Sequence, residues 1–190
     1  DIVEVDSTYY SLLPDKTAGL WVERTPPGFT FDIKAFSLFT QHPTQVRALP
    51  KDVRSLAPPE HERPTIYQRD LPDEAVKLTW QIFARTLLPL DSAGKLGSVL
   101  FQFPQWFFPG RDSLDYILRC KENLPQYRIA VEFRNSAWLN DRNRDITFAF
   151  LKDNGLIYVS VDAPQGFRSS VPPIAEATAD IAIVRFHGRN

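Results

Sequence analysis

The chain has 190 residues, of which 43% are hydrophobic and 24% charged, with a formal net charge of -1. These values fit a folded domain with its own core and exclude a uniformly basic nucleic-acid surface, though not a local basic patch. Cys120 is the only cysteine and no apolar run is long enough for a membrane helix, which excludes an internal disulfide and leads to the expectation of a cytoplasmic protein with no membrane partner.

In chain order, short β-rich runs alternate with helical periodicity. The first run is Ile2–Asp6, followed by a weak helical stretch from Asp15 to Arg24 and a second strand over Phe29–Lys34. From Gln41 to Pro72 the chain is charged and carries Pro43, Pro50, Pro58, Pro59, Pro64 and Pro72. That composition predicts a long surface connection, serving either as a lid or partner surface or as an insertion without structure. Val76, Trp80, Phe83, Leu87 and Leu90 then recur at helical spacing, with Asp73 placed as an N-cap. Strand Ser98–Phe103 follows, then a helix marked by Leu114, Ile117 and Leu118 after Asp112 or Ser113. Strand Arg128–Arg134 leads to a helix marked by Ile146, Ala149 and Phe150 and stopped by Gly155. Leu156–Asp162 and Ile181–His187 complete six strands. This alternation predicts an α/β protein with a parallel sheet. Methionine is absent and both ends of the chain fall on strand-like stretches, so a fragment of a longer chain is expected.

Residues two apart on a strand share a face. One parity is apolar in every strand: Val3 and Val5; Phe29, Phe31 and Ile33; Val99, Phe101 and Phe103; Ile129, Val131 and Phe133; Ile157, Val159 and Val161; Ala182, Val184 and Phe186. The other turns polar toward the strand ends: Glu4 and Asp6; Asp32 and Lys34; Gln102; Glu132 and Arg134; Ser160 and Asp162; Arg185 and His187. An open sheet covered by helices on both faces would be apolar on both parities. A (β/α) TIM-like barrel explains the pattern: helices cover the outside, and the inward parity leads to a polar mouth at the carboxyl ends of the strands. About six of its eight strands are present, so the expectation is one partial barrel domain over residues 1–190, with the Pro-rich surface connection at 41–72.

The stretches VEVDSTYY from Val3, FDIKAF from Phe31, GSVLFQFPQWF from Gly97, AVEFRNSAWL from Ala130, VDAPQG from Val161 and VRFHGRN from Val184 resemble the YecE-like family, domain of unknown function seventy-two. The resemblance spans nearly the whole chain. It implies a TIM-like barrel related in shape to those of endonuclease IV and xylose isomerase, with strands missing before Asp1 and after Asn190. Its motif positions fall on Glu4, Ser7, Thr8, Tyr10, Lys34, Gln102, Pro104, Glu132, Arg134, Trp138, Asp162, Arg185, His187, Gly188 and Arg189, while Asp6 stands where many relatives have Asn. The resemblance names no reaction and no cofactor.

Glu4, Lys34, Glu132, Asp162 and His187 are the candidate catalytic residues, and Tyr10, Gln102, Arg134, Trp138, Arg185 and Arg189 the candidate substrate contacts. Glu132 and Arg134 can share one hydrogen-bonded site, either as part of the chemistry or as a structural ion pair. Glu4 and Asp162 are further carboxylates for acid or base work. His187 is either a proton carrier or a structural partner, and Lys34 an electrostatic stabiliser or an amine nucleophile. Trp106, Phe107, Phe108 and Trp138 either stack on sugar rings or bases or pack beneath loops. His42 and His61 lie in the Pro-rich connection, so no multi-histidine metal cluster is expected. The leading expectation is a hydrolase or lyase type of enzyme acting on a small anionic or sugar-like substrate. The alternative is a non-catalytic nucleic-acid-binding module.

Overall fold

The elements run β1 (Ile2–Val5), α1 (Ser7–Tyr10), α2 (Asp15–Arg24), β2 (Thr30–Lys34), β3 (Thr44–Gln45), α3 (Lys51–Leu56), β4 (Thr65–Ile66) and α4 (Asp73–Ser92). They continue with β5 (Leu96–Phe103), α5 (Arg111–Glu122), β6 (Ile129–Phe133), α6 (Arg144–Asp153), β7 (Ile157–Asp162) and β8 (Ile183–Phe186). The structure is a computed structural model and describes residues 1–58, 64–167 and 170–188. Six strands follow one another as hydrogen-bonded neighbours in the order β1-β2-β5-β6-β7-β8, and β3 and β4 make a separate pair. All six expected strands form, as does the weak helix over Asp15–Arg24. Contacts divide the chain into two compact units, Asp1–Ser98 and Val99–Asn190, the division falling inside β5.

In the first unit β1 and β2 pair in parallel, with Val3 beside Phe31 and Glu4 beside Asp32. Phe31 donates its backbone N–H to Lys95 O at 2.8 Å, and Ser98 Oγ donates to Asp32 Oδ1 at 2.7 Å. A Cβ at Gly97 would stand 2.6 Å from both Asp32 Oδ1 and Thr30 Cγ2, so the close approach needs a glycine. The apolar parity of β2 packs under helices: Trp21 of α2 stacks on Phe31 with ring centroids 5.5 Å apart. Beyond β2, Phe39 stacks on Trp80 of α4 at 3.6 Å. The α4 helix begins at Asp73 itself, with Pro72 in the capping position. Asp73 and Glu74 therefore sit in its first turn, where negative charge complements the helix dipole.

The stretch expected to be a long surface connection, either a lid or partner surface or an insertion without structure, is folded in its described part. It contributes β3, α3 and β4, with Thr44 paired to Ile66 in antiparallel register. Thr44, Leu49, Val53, Ile66 and Leu71 are buried. Prolines hid this because apolar anchors spaced irregularly along short elements make no periodic signal. Pro59 and His61 lie outside the described residues.

In the second unit β5, β6, β7 and β8 are parallel neighbours. Behind them Phe103 stacks on Phe107 at 4.2 Å and Phe133 on Trp138 at 4.3 Å. Two expectations change here. On α6 the buried residues are Thr147, Phe148 and Leu151, one position on from the expected face, and Ile146 is exposed. Phe148 meets Tyr158 edge-on at 5.0 Å and Thr147 Oγ1 donates to Trp138 O at 2.9 Å, so both partners are tertiary. On β7 the faces are reversed. Ala130 stands beside Ile157 and Val161 beside Arg185, so Ile157, Val159 and Val161 share the face of Glu132. Tyr158, Ser160 and Asp162 take the helix side. On β8, Val184 and Phe186 hold their expected parity but are exposed. Among the described residues the connection from β7 to β8 contains no helix to cover them. No helix among the described residues is long and apolar enough to cross a membrane.

Lys95, buried at the entrance to β5, donates from Nζ to Val22 O at 2.9 Å, Thr25 O at 2.7 Å and Thr25 Oγ1 at 2.9 Å. A cation is thereby fixed at the carboxyl end of α2, where the exposed carbonyls concentrate negative charge. Replacing Lys95 with Met removes three donors from part-buried acceptors. Denaturant unfolding is expected to show a loss of about 1–3 kcal/mol, and an unchanged midpoint would mean that α2 is not held by this contact.

Candidate functional site

The second unit places a fully buried carboxylate, Glu132, one residue before the end of β6, at 0% exposure. An isolated charge cannot be kept there, so its partners must come with the fold. Three strands supply them. The parallel register of β5 on β6 sets Gln102 beside Glu132, and Gln102 Nε2 donates to Glu132 Oε1 at 2.8 Å. Arg134, two residues on and therefore on the same face, brings Nε to within 2.6 Å of Oε1. Arg185 on β8 reaches Oε2 with Nη1 at 2.6 Å. Its arm spans β7, which presents the aliphatic Ile157, Val159 and Val161 on that face.

Arg134 Nη2 lies 2.8 Å from His187 Nε2. A guanidinium can only donate, so Nε2 is the acceptor; the ring is neutral with its proton on Nδ1. The backbone N–H of His187 donates to Asp162 O at 2.8 Å, anchoring the chain just after β8. The site thus combines one carboxylate with two guanidiniums, one excess positive charge, and a neutral imidazole. Arg134 keeps 24% of its side chain exposed, so the charge reaches solvent. Burial, and then the Glu132 charge, push the Tyr158 hydroxyl well above its ordinary value.

The other expected residues are placed differently. Asp162 stands beside Phe186 in register, on the face away from Arg185, so its side chain does not join Glu132 by strand parity. Trp138 is buried, stacked on Phe133, with its indole N–H donating to Phe107 O at 2.7 Å; this gives it a packing role in place of the expected substrate contact. Phe107 is likewise buried, whereas Trp106 and Phe108 are exposed. Arg189 lies outside the described residues.

In the first unit Lys34, at the end of β2, pairs with Asp6 Oδ1 at 3.1 Å and lies 5.0 Å from the centre of the Tyr9 ring. Thr8 Oγ1 donates to Lys34 O at 2.6 Å, pinning α1 to the end of β2. Tyr10 is exposed and meets Tyr9 edge-on. Glu4 shares the face of Asp32. His42 packs edge-on against Tyr9 at 5.4 Å, with Nδ1 2.9 Å from Thr40 Oγ1. Sequence reasoning noticed His42 only as a stray histidine, and Tyr9 not at all. The aromatic doublet just after a strand end was the one available signal. Among the described residues no group of three or more His, Cys, Asp or Glu could hold a metal ion.

Removing the Glu132 charge should leave two guanidiniums in poorly hydrated positions. Glu132→Gln is expected to cost roughly 3–5 kcal/mol in denaturant unfolding. Adding Arg185→Met to it should recover part of that loss; a double variant no better than the single one would mean that the two charges do not compensate each other.

Burial, and then the Lys34 charge, lower His42 from 6.5 to about 4, against the opposing hydrogen bond at Thr40. The folded protein therefore holds His42 neutral where the unfolded chain protonates it. Its contribution to stability is complete above pH 6.5 and is lost as the pH falls toward about 4. Thermal unfolding across that window should show a steeper acid loss for the parent than for His42→Phe, and parallel curves would count against the assignment.

The whole chain, residues 1–190, matches the family model described as "Protein of unknown function DUF72". It is 31% identical over 190 residues to the UPF0759 protein YunF of Bacillus subtilis (strain 168), covering 100% of this chain and 59% of that protein. Among solved structures, it is similar to a DUF72 family protein of Enterococcus faecalis V583, with TM-score 0.79, 26% identity, and coverage of 100% of this chain and 60% of that one. A DUF72 family protein of Thermotoga maritima MSB8 gives TM-score 0.70 at 29% identity, with coverage of 100% of this chain and 60% of that one. The chain thus spans about three fifths of the length of these relatives, and its α/β fold is that of an incomplete TIM-like barrel. The family expected from its strand-end motifs is the one found: the chain belongs to the DUF72 family, which is also the YecE-like family.

Proposed function

We propose that the Glu132 cluster is the substrate site of a hydrolase or lyase type of enzyme acting on a small anionic substrate. The observation that carries this is a single buried carboxylate between two guanidiniums. Both carboxylate oxygens are engaged, so Glu132 orients Arg134 and Arg185 instead of exchanging protons with a substrate. The excess positive charge and the planar donors of Arg134 suit a phosphate or carboxylate group. His187 is the proton carrier: an anion that draws Arg134 toward itself releases the Nε2 lone pair, which can then accept a proton. This favours an anionic substrate over a neutral sugar, and a small one over nucleic acid, since the chain's net charge is -1.

Thermal unfolding with added phosphate tests the reading. At ten times its dissociation constant, phosphate should raise the Tm by about 3–6 °C relative to chloride of equal ionic strength. Arg134→Met should remove the rise. A parent protein indifferent to phosphate, or a variant that keeps the full rise, would rule the site out. Tight, steeply salt-dependent binding of a single-stranded oligonucleotide that survives Arg134→Met would favour the nucleic-acid module.

A further inference from the structure

We propose that this site selects a doubly charged phosphoryl group, that of a phosphomonoester, and takes up one proton on His187 as the group binds. The inference rests on the anion-site reading above and adds the charge state of the ligand. With His187 neutral, the cluster carries a single excess positive charge, enough for a monoanion. The hydrogen bond from Arg134 Nη2 to His187 Nε2 at 2.8 Å exists only while that nitrogen is unprotonated. The groups around the imidazole explain why it stays so without a ligand. Arg134 faces it from the end of β6, and Arg185 lies two residues earlier, on β8. The buried Glu132 is already shared between those two guanidiniums. From β7, Asp162 contributes its backbone oxygen to the His187 N–H, while its carboxylate stands in register with Phe186 on the other face.

A dianion changes this balance. One of its oxygens takes the Nη2 hydrogen of Arg134, and the Nε2 lone pair is left beside the second negative charge. A proton from the buffer then binds Nε2, the new N–H donates to the ligand, and two positive charges meet two negative ones. No covalent bond of the ligand forms or breaks. His187 is exposed, so both ligand and proton can reach it. A monoanion makes no such demand, and should bind more weakly without proton uptake. The selection is one of charge, set by an imidazole whose Nε2 lone pair is occupied by Arg134 until the ligand draws that guanidinium away.

The test is calorimetric titration of the full chain with sulfate, which stays a dianion throughout, and with methanesulfonate, which stays a monoanion. Measurements in two buffers of different ionisation enthalpy at about pH 7.5 count the protons taken up. Sulfate should bind with uptake approaching one proton, and its affinity should rise by up to about tenfold per pH unit as the pH falls from about 8 toward about 6. Methanesulfonate should bind more weakly and without uptake. In His187→Gln and His187→Asn the sulfate affinity should be reduced and flat with pH. Sulfate binding without proton uptake in the parent, or uptake that persists in both variants, would overturn the proposal while leaving the anion site standing. Failure of sulfate to bind at any pH would remove the anion site itself.

Discussion

Placing a carboxylate on a β-strand with no access to water costs several kcal/mol unless charge and hydrogen bonds compensate it in place. Glu132 is such a group, and the second unit is arranged around its needs. The β5 register brings Gln102 to one oxygen, strand parity brings Arg134 to the same side, and β8 sends Arg185 across β7. Each contact depends on a different strand, so the cluster forms only when all four parallel strands are in register. The aromatic stack of Phe103, Phe107, Phe133 and Trp138 on the opposite parity holds that register from behind. A shift by one residue would turn those rings onto the charged face and set the charges against the helix side, away from their partners, a double penalty.

The first unit solves smaller versions of the same problem. Asp32 is buried and accepts from Ser98, at a spacing only Gly97 permits. Lys95 is buried and donates to the end of α2. Asp32 lies two residues before Lys34 on β2, so its contact holds the strand that presents that lysine. Lys34 in turn faces Tyr9 and helps keep His42 uncharged. Structure and electrostatics are coupled here through a few side chains just beyond a strand end, where parallel α/β proteins commonly place their chemistry.

Acid or base work was expected of Glu132, with Arg134 and Arg185 as substrate contacts and His187 as a proton carrier or structural partner. The structure engages both Glu132 oxygens with donors, which sets this carboxylate apart from that expectation. A buried carboxylate committed to three donors serves by positioning, as supporting groups do in pre-organised sites. Since the chain spans about three fifths of its relatives' length, the activity of a whole family member is a matter for the proposals above.

Much of the fold was legible because strands and helices write their periods directly into the chain. The six strands, the Asp15–Arg24 helix and the pairing of Glu132 with Arg134 all follow from alternation and spacing, which are local. So does the family, carried by short runs at the strand ends. Tertiary structure decided what local pattern leaves degenerate. The sequence of β7 has an apolar parity and a mixed one, and only its hydrogen-bond register with β6 and β8 determines which faces Glu132. On α6 two adjacent apolar diagonals compete, and Tyr158 and Trp138 settle the choice. The reach of Arg185 to Glu132 joins residues 53 apart in the chain, and no spacing rule announces it. Period is a property of neighbouring residues, whereas face and partner are properties of what packs against them.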